Sequence, residues 1–248
     1  MHKLRVIGSA YYNELRKPFQ HNQVPSSLIE SVKDFAYEMC FGSGHHRTHR
    51  TGGQHDRKAG EKFCNTFQGK LAEAVVRECL TERGLTCGKP DFNVYGEGVW
   101  DDCDLTVNGK TLSIKSAAYF SNLLLLEKED YDYNGNYLPN LNAGGTASYD
   151  YYLLVRIKPD IKQIFRNSRM LFSDNISKES IDSIISSQTW YYDIAGWITH
   201  SEFVSVIRSG HVILQNALLN GSVRMDASNY YVQSGDMHPI EELVELLS

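Results

Sequence analysis

Residues 100–116 read WDDCDLTVNGKTLSIKS, and this stretch decides how the rest of the chain is interpreted. Two strand-like segments, 99–107 and 110–117, are joined by Asn108-Gly109. Asn-Gly favours a two-residue hairpin turn because both of its positions tolerate a positive φ. The two segments are therefore predicted to form an antiparallel β-hairpin.

The predicted hairpin carries an acidic and a basic side chain close together. Asp104 lies four residues before the Asn-Gly turn, on the first strand. Ser113 and Lys115 lie two apart on the return strand and share a face, whereas Ile114 points the other way, into the core. Hydrolysis of a phosphodiester needs a carboxylate-held divalent metal or an equivalent source of hydroxide and positive charge. The hairpin is a suitable platform for such groups.

Helical and strand-like patterns alternate on both sides of the hairpin. Apolar residues at spacings of three to four predict helices at 26–39 and 61–83, the second ending before Gly84. The first sixty residues are expected to be helical segments followed by a polar loop. Further elements are predicted as strands at 92–95, 123–126, 151–157 and 190–198, a loop at 130–149, a helix at 177–187 and a closing helix after Pro239.

Composition favours one globular domain. The 248 residues are 42% hydrophobic, which is enough for one substantial core. A single domain over 1–248 is expected, with a helical, DNA-contacting part at 1–60, a catalytic core at 61–160 and a completing part at 161–248. No apolar run approaches the length of a membrane span and no signal peptide is evident, so a cytoplasmic location is expected.

Charge and cysteine usage narrow the functional classes. The formal charge of −5 argues against a protein that merely coats nucleic acid, although a metal-dependent nuclease can carry local acid in its site. The five cysteines form no CxxC pair and no even set, so reduced thiols are expected.

The hairpin resembles the PD-(D/E)xK nuclease superfamily. In that family an Asp on one strand is followed, across a hairpin, by an acidic residue, any residue and Lys. Asp104 and Lys115 match this pattern, and the preceding helix, FQGKLAEAVV at 67–76, places Glu73 where members often carry an acidic residue. The resemblance implies a restriction-endonuclease-like α/β core, a central mixed sheet flanked by helices. It also implies Mg²⁺ bound by Asp104 and Glu73, with Lys115 orienting the attacking water.

One position departs from the family pattern, because Ser113 stands where a second carboxylate is expected. Some restriction endonucleases of this superfamily have a similar Ser-x-Lys and take the carboxylate from a downstream Glu. Glu127 and Glu129 are equal candidates for that catalytic role, with Glu127 also a candidate metal ligand. The acidic residues nearby are interpreted as a turn at Pro90-Asp91 and as solvent-facing or supporting carboxylates at Asp101 and Asp102.

A basic loop precedes the helix that carries Glu73. Residues 45–58 read HHRTHRTGGQHDRK, without apolar periodicity, and the glycines would let backbone approach a phosphate. This loop is predicted to contact DNA. The candidate DNA-binding residues are Arg47, Arg50, Arg57 and Lys58 in the loop and Lys70 on the helix.

Two functional hypotheses follow. The first is a magnesium-dependent endonuclease of double-stranded DNA, a type II restriction enzyme acting as a homodimer, with a phage or repair nuclease of the same fold as a variant. The second is a non-catalytic or zinc-stabilised DNA-binding module. Its donors would be Cys40, His45, His46, His49, His55 and Cys64, whose spacing fits no standard finger.

Overall fold

A computed structural model of the chain describes residues 1–42, 57–88, 104–142 and 148–248. The fold within these ranges is mixed α/β. The elements in chain order are β1 (Arg5–Ile7), β2 (Ala10–Tyr12), β3 (Asn22–Gln23), α1 (Ser26–Phe41), α2 (Ala59–Glu82), β4 (Leu105–Val107), β5 (Lys110–Ala118), β6 (Leu123–Glu127), α3 (Leu138–Asn142), β7 (Tyr151–Lys158), α4 (Ile161–Asn167), α5 (Lys178–Ser186), β8 (Tyr191–Thr199), α6 (His200–Arg208), β9 (Val212–Ile213), β10 (Leu218–Leu219), β11 (Val223–Arg224), β12 (Asn229–Gln233) and α7 (Ile240–Leu247), with 3₁₀ turns at Lys128–Asp130 and Ser234–Asp236.

The predicted hairpin is present as β4 and β5. Leu105 lies opposite Leu112 and Val107 opposite Lys110 in an antiparallel register. The turn residues Asn108 and Gly109 have φ angles of 47° and 80°, the positive values that a two-residue turn of this kind requires. The hairpin prediction is therefore confirmed over 105–118, whereas residues 99–103 of the predicted first strand lie outside the described ranges.

The hairpin forms one edge of a five-stranded mixed sheet. The strand order is β3-β8-β7-β5-β4, in which β5 and β7 run parallel and the other neighbours run antiparallel. β7 is buried along nearly its whole length, as its apolar sequence predicts for a central strand. The prediction of a central mixed sheet is confirmed.

The two faces of this sheet are covered differently. Leu112 and Ile114 of β5 pack with α1 and α2 in the largest apolar cluster, where the ring of Phe67 lies 5.0 Å from that of Trp190. The opposite face packs against α6 and a second sheet of order β6-β12-β9. Helices therefore flank one face as expected, and the other face meets mainly a sheet.

The start of the chain differs from its prediction. The first sixty residues are predicted to be helical segments followed by a polar loop, but β1 and β2 form a hairpin across Gly8, whose φ is 60°, and β2 pairs in parallel with β10. Tyr11 and Tyr12 favour strands, and pairing with a distant strand determines the structure of so short a segment. α1, at Ser26–Phe41, is the one helix in this part of the described chain.

A buried ion pair fastens the segment after β2 to the sheet. Arg156 of β7 and Asp193 of β8 are both about 1% exposed and pair through two nitrogens of the guanidinium. The same guanidinium donates to the carbonyl oxygens of Lys17 and Pro18 at 3.0 and 2.9 Å.

No helix in the described ranges is long and apolar enough to span a membrane.

Candidate active site

Asp104 is positioned by the end of the hairpin ladder. β4 begins at Leu105, and its described residues pair with β5 only as far as Leu112. The Asp104 Oδ2 atom accepts the Ile114 N–H at 2.5 Å. The carboxylate is thus fixed beside β5, and its second oxygen has no hydrogen-bond partner among the described residues.

Ser113 lies deep in the structure beside Asp104. Extension of the hairpin register places it opposite Asp104, on the same face of the sheet. Its side chain is fully buried, and its Oγ has no hydrogen-bond partner among the described residues. A buried hydroxyl without a partner is uncommon and costs free energy.

Lys115 extends from the same face into a cavity between the two sheets. The cavity has a volume of about 360 Å³ and is lined by parts of β5, β6, β7 and the segment before β12. The Lys115 ammonium lies 6.0 Å from the ring centroid of Tyr137, close enough for a cation–π contact. As predicted, Ile114 points the other way, into the main core.

Three carboxylates line this cavity with Lys115. Glu127 ends β6 opposite Asn229 of β12, and Asp130 and Asp226 lie on the adjoining turns. Glu129 is exposed and does not line the cavity. Of the two glutamates that the sequence left equal, Glu127 is therefore the one that the fold brings to Lys115.

Tyr131 connects the cavity with Asp104. Tyr131 is one of the residues that line the cavity, and it is 6% exposed. Burial, together with neighbouring tyrosines and the negative charge of Asp104, holds the pKa of Tyr131 well above its usual range. Asp104 is therefore close enough to act electrostatically on a residue that shares the cavity with Lys115.

Sequence reasoning missed Asp130, Tyr131 and Asp226. The first two lie at the boundary of the segment 130–149, whose Tyr, Asn and Gly content is typical of a loop. A usable signal was the acidic run that follows the apolar residues 123–126, which includes Asp130 as well as the two glutamates. Asp226 has no local signal, because the sheet pairing of β12 brings it to the cavity.

Glu73 and Lys70 lie elsewhere. α2 packs on the face of the sheet that carries Ile114, opposite to the face of Lys115. The Glu73 carboxylate pairs with the Lys70 ammonium at 2.5 Å, and that ammonium lies 5.4 Å from the ring centroid of Phe35 in α1. The structure therefore does not bring Glu73 into the cavity, and Lys70 is mostly buried.

The predicted DNA-contacting loop is described only at its end. Lys58 precedes α2 and pairs with Asp174 at 2.8 Å, and Arg57 is half-buried. The DNA-contacting roles of Arg57 and Lys58 stay predictions. The other candidates, namely Arg47, Arg50, the four histidines of the loop, Pro90-Asp91, Asp101 and Asp102, lie outside the described residues.

The zinc hypothesis requires thiolates at Cys40 and Cys64. Without a metal, burial raises the pKa of Cys40 to about 12 and that of Cys64 far above its usual range. A bound zinc ion itself deprotonates a coordinating thiol, and the four histidines lie outside the described residues, so the hypothesis stays a prediction. Cys64, Cys79 and Cys87 are free thiols.

Carboxylate oxygens are the donors that Mg²⁺ prefers, and the cavity supplies them. Within the described ranges, however, no group of three His, Cys, Asp or Glu side chains is close enough to hold a metal ion. The described carboxylates thus suit Mg²⁺ in chemistry but are too few at one point to form its site. No coordination geometry is assigned.

Comparisons of the chain with protein-family models, with curated proteins and with solved structures found no match. The resemblance to PD-(D/E)xK nucleases therefore rests on the residues of the hairpin and on their arrangement.

Proposed function

We propose that this protein hydrolyses phosphodiester bonds of double-stranded DNA with Mg²⁺ as cofactor, as a site-specific type II restriction endonuclease acting as a homodimer. One observation carries the proposal. Asp104 and Lys115 lie on one face of a hairpin, and Lys115 opens into a cavity that it shares with Glu127 and Asp130. An ammonium group beside several carboxylates is the combination that metal-assisted phosphodiester hydrolysis uses.

Each residue has a role that follows from its environment. The Lys115 ammonium stabilises negative charge that develops on the phosphate and orients the attacking water. Asp104 is held by the Ile114 N–H, so its position is fixed before a ligand arrives. Glu127 supplies the carboxylate that Ser113 cannot.

A restriction role, as opposed to unspecific degradation, is the more specific part of the proposal. It is motivated by the Ser-x-Lys variant at Ser113 and Lys115, which resembles that of some restriction endonucleases. A homodimer would present two such sites to a palindromic sequence.

The test is incubation of the purified protein with unmethylated phage DNA, with Mg²⁺ or with a chelator, resolved on a gel. Discrete fragments that require Mg²⁺ are the expected result. A smear of fragments would indicate a less specific nuclease and would contradict the restriction role. Absence of cleavage on several unmodified DNAs, at protein concentrations above those at which a bandshift shows binding, would reject the enzymatic proposal.

A further inference from the structure

The Tyr131 side chain packs among other aromatic rings. Its ring centroid lies 4.9 Å from that of Phe203, 5.3 Å from that of Tyr137 and 6.3 Å from that of Tyr152. Three rings from different parts of the chain therefore fix where its hydroxyl lies. Such packing positions a side chain without hydrogen bonds.

The hydroxyl itself is buried and has no hydrogen-bond partner among the described residues. Buried tyrosine hydroxyls usually find a partner, because desolvation of an unpaired polar group is costly. A bound ligand that accepts a hydrogen bond from this hydroxyl would remove that cost.

The surroundings of Tyr131 indicate which ligand. Tyr131 lines the cavity that also contains Lys115 and Glu127, and its neighbour Tyr137 contacts the Lys115 ammonium. Among the described residues that line this cavity, Lys115 is the one cation. A phosphate group bound there has several oxygens and needs additional donors, and a neutral phenol can donate without adding charge.

We propose that the Tyr131 hydroxyl donates a hydrogen bond to a non-bridging oxygen of the scissile phosphate and is thus a further catalytic residue. The assignment rests on the proposed nuclease function. Burial keeps the phenol protonated through its raised pKa, so the hydroxyl remains a donor across the physiological pH range. The donor would act together with the Lys115 ammonium on the charge that develops during hydrolysis.

The first experiment compares two Tyr→Phe variants in single-turnover cleavage and thermal unfolding. Tyr131→Phe removes only the hydroxyl, so we expect the cleavage rate at saturating DNA to fall by about 10²-fold. Its Tm should stay the same or rise, because the lost hydroxyl has no described partner.

The matched control is Tyr231→Phe. The Tyr231 hydroxyl is also buried, but it accepts the Leu4 N–H at 3.1 Å, away from the cavity. The control should lose about 2–4 °C in Tm for each kcal/mol of lost bonding and keep its cleavage rate. A wild-type rate for Tyr131→Phe, or a loss of Tm as large as that of the control, would overturn the assignment.

A second measurement separates this inference from the nuclease proposal. Thermal unfolding is followed with inorganic phosphate and Mg²⁺ present, which requires no cleavage. A stabilisation of the wild type that Tyr131→Phe weakens by about 5–10-fold in apparent affinity, as expected for one lost hydrogen bond, would support a phosphate-facing hydroxyl even if the protein cuts no DNA. Identical behaviour of wild type and variant, including no response of either, would overturn it.

Discussion

Two buried polar clusters lie on the same face of the five-stranded sheet and differ in how completely they are bonded. Arg156 donates through its guanidinium to Asp193, Asn122 and backbone carbonyls of the segment after β2. In the other cluster, Ser113 and Tyr131 have buried hydroxyls without described partners, and Lys115 contacts an aromatic ring, with no ion pair to a described carboxylate. The first cluster holds the fold together, whereas the second has bonding capacity left for a ligand.

The largest expected effects on cleavage and on stability come from substituting the two cations, Lys115 in one cluster and Arg156 in the other. Lys115→Met keeps most of the unbranched apolar side chain and removes its charge, so cleavage should fall by about 10³-fold or more while the free energy of unfolding changes by less than about 1 kcal/mol. Initial cleavage rates and urea unfolding measure the two quantities. Lys128→Met, an exposed lysine near the cavity, is the control and should cleave normally. Normal cleavage by Lys115→Met would remove Lys115 from the site.

Arg156→Met should behave in the opposite way. It leaves the buried Asp193 carboxylate without its cation, which costs about 3–5 kcal/mol. Urea unfolding should show this loss, whereas the fraction that remains folded at low temperature should cleave at the wild-type rate. An unchanged stability would show that the bonds of this cluster contribute little, and the contrast between the clusters would then fail.

A smaller effect separates the two glutamates. Glu127→Gln removes a carboxylate from the cavity and should lower the cleavage rate by about 10²-fold. Glu129→Gln makes the same chemical change at an exposed position two residues away and should have little effect. Cleavage rates under identical Mg²⁺ decide the matter, and a larger effect at Glu129 would reverse the assignment.

The smallest effect is expected at two buried serines. Ser113→Ala removes a hydroxyl without a described partner and should leave the free energy of unfolding within about 0.5 kcal/mol of the wild type, or raise it. Ser234 is equally buried, but its Oγ donates to Asn122 Oδ1 at 2.8 Å and accepts the Lys17 N–H at 3.0 Å. Ser234→Ala should therefore lose about 1–3 kcal/mol. Equal losses for both would mean that Ser113 is bonded after all.

The sequence predicted those features that local chemistry determines. The hairpin follows from Asn108-Gly109, and the opposite directions of Ile114 and Lys115 follow from the alternation of a strand. α2 follows from the spacing of its apolar residues. Each of these features depends on residues that are close together in the sequence.

The remaining features of the fold and of the candidate site depend on contacts between residues that are far apart in the sequence. Tyr131 is placed by Phe203, and Asp226 by the pairing of β12 with β6, neither of which leaves a local pattern. Glu73 was placed near the hairpin because its helix precedes it, but the packing of α2 on the opposite face separates the two. The tyrosines of β2 likewise form a strand because β10 is there to pair with them.

The attachment of the N-terminal segment has a consequence for the order of folding. The Lys17 ammonium donates to the Met237 carbonyl at 2.8 Å, across 220 positions of sequence, and β2 finds its parallel partner in β10. During synthesis the segment around Lys17 therefore waits for partners that are made about 220 residues later, and contacts of such long range slow folding. Protection of the segment around Lys17 from a protease would thus report that a nascent chain has completed its fold.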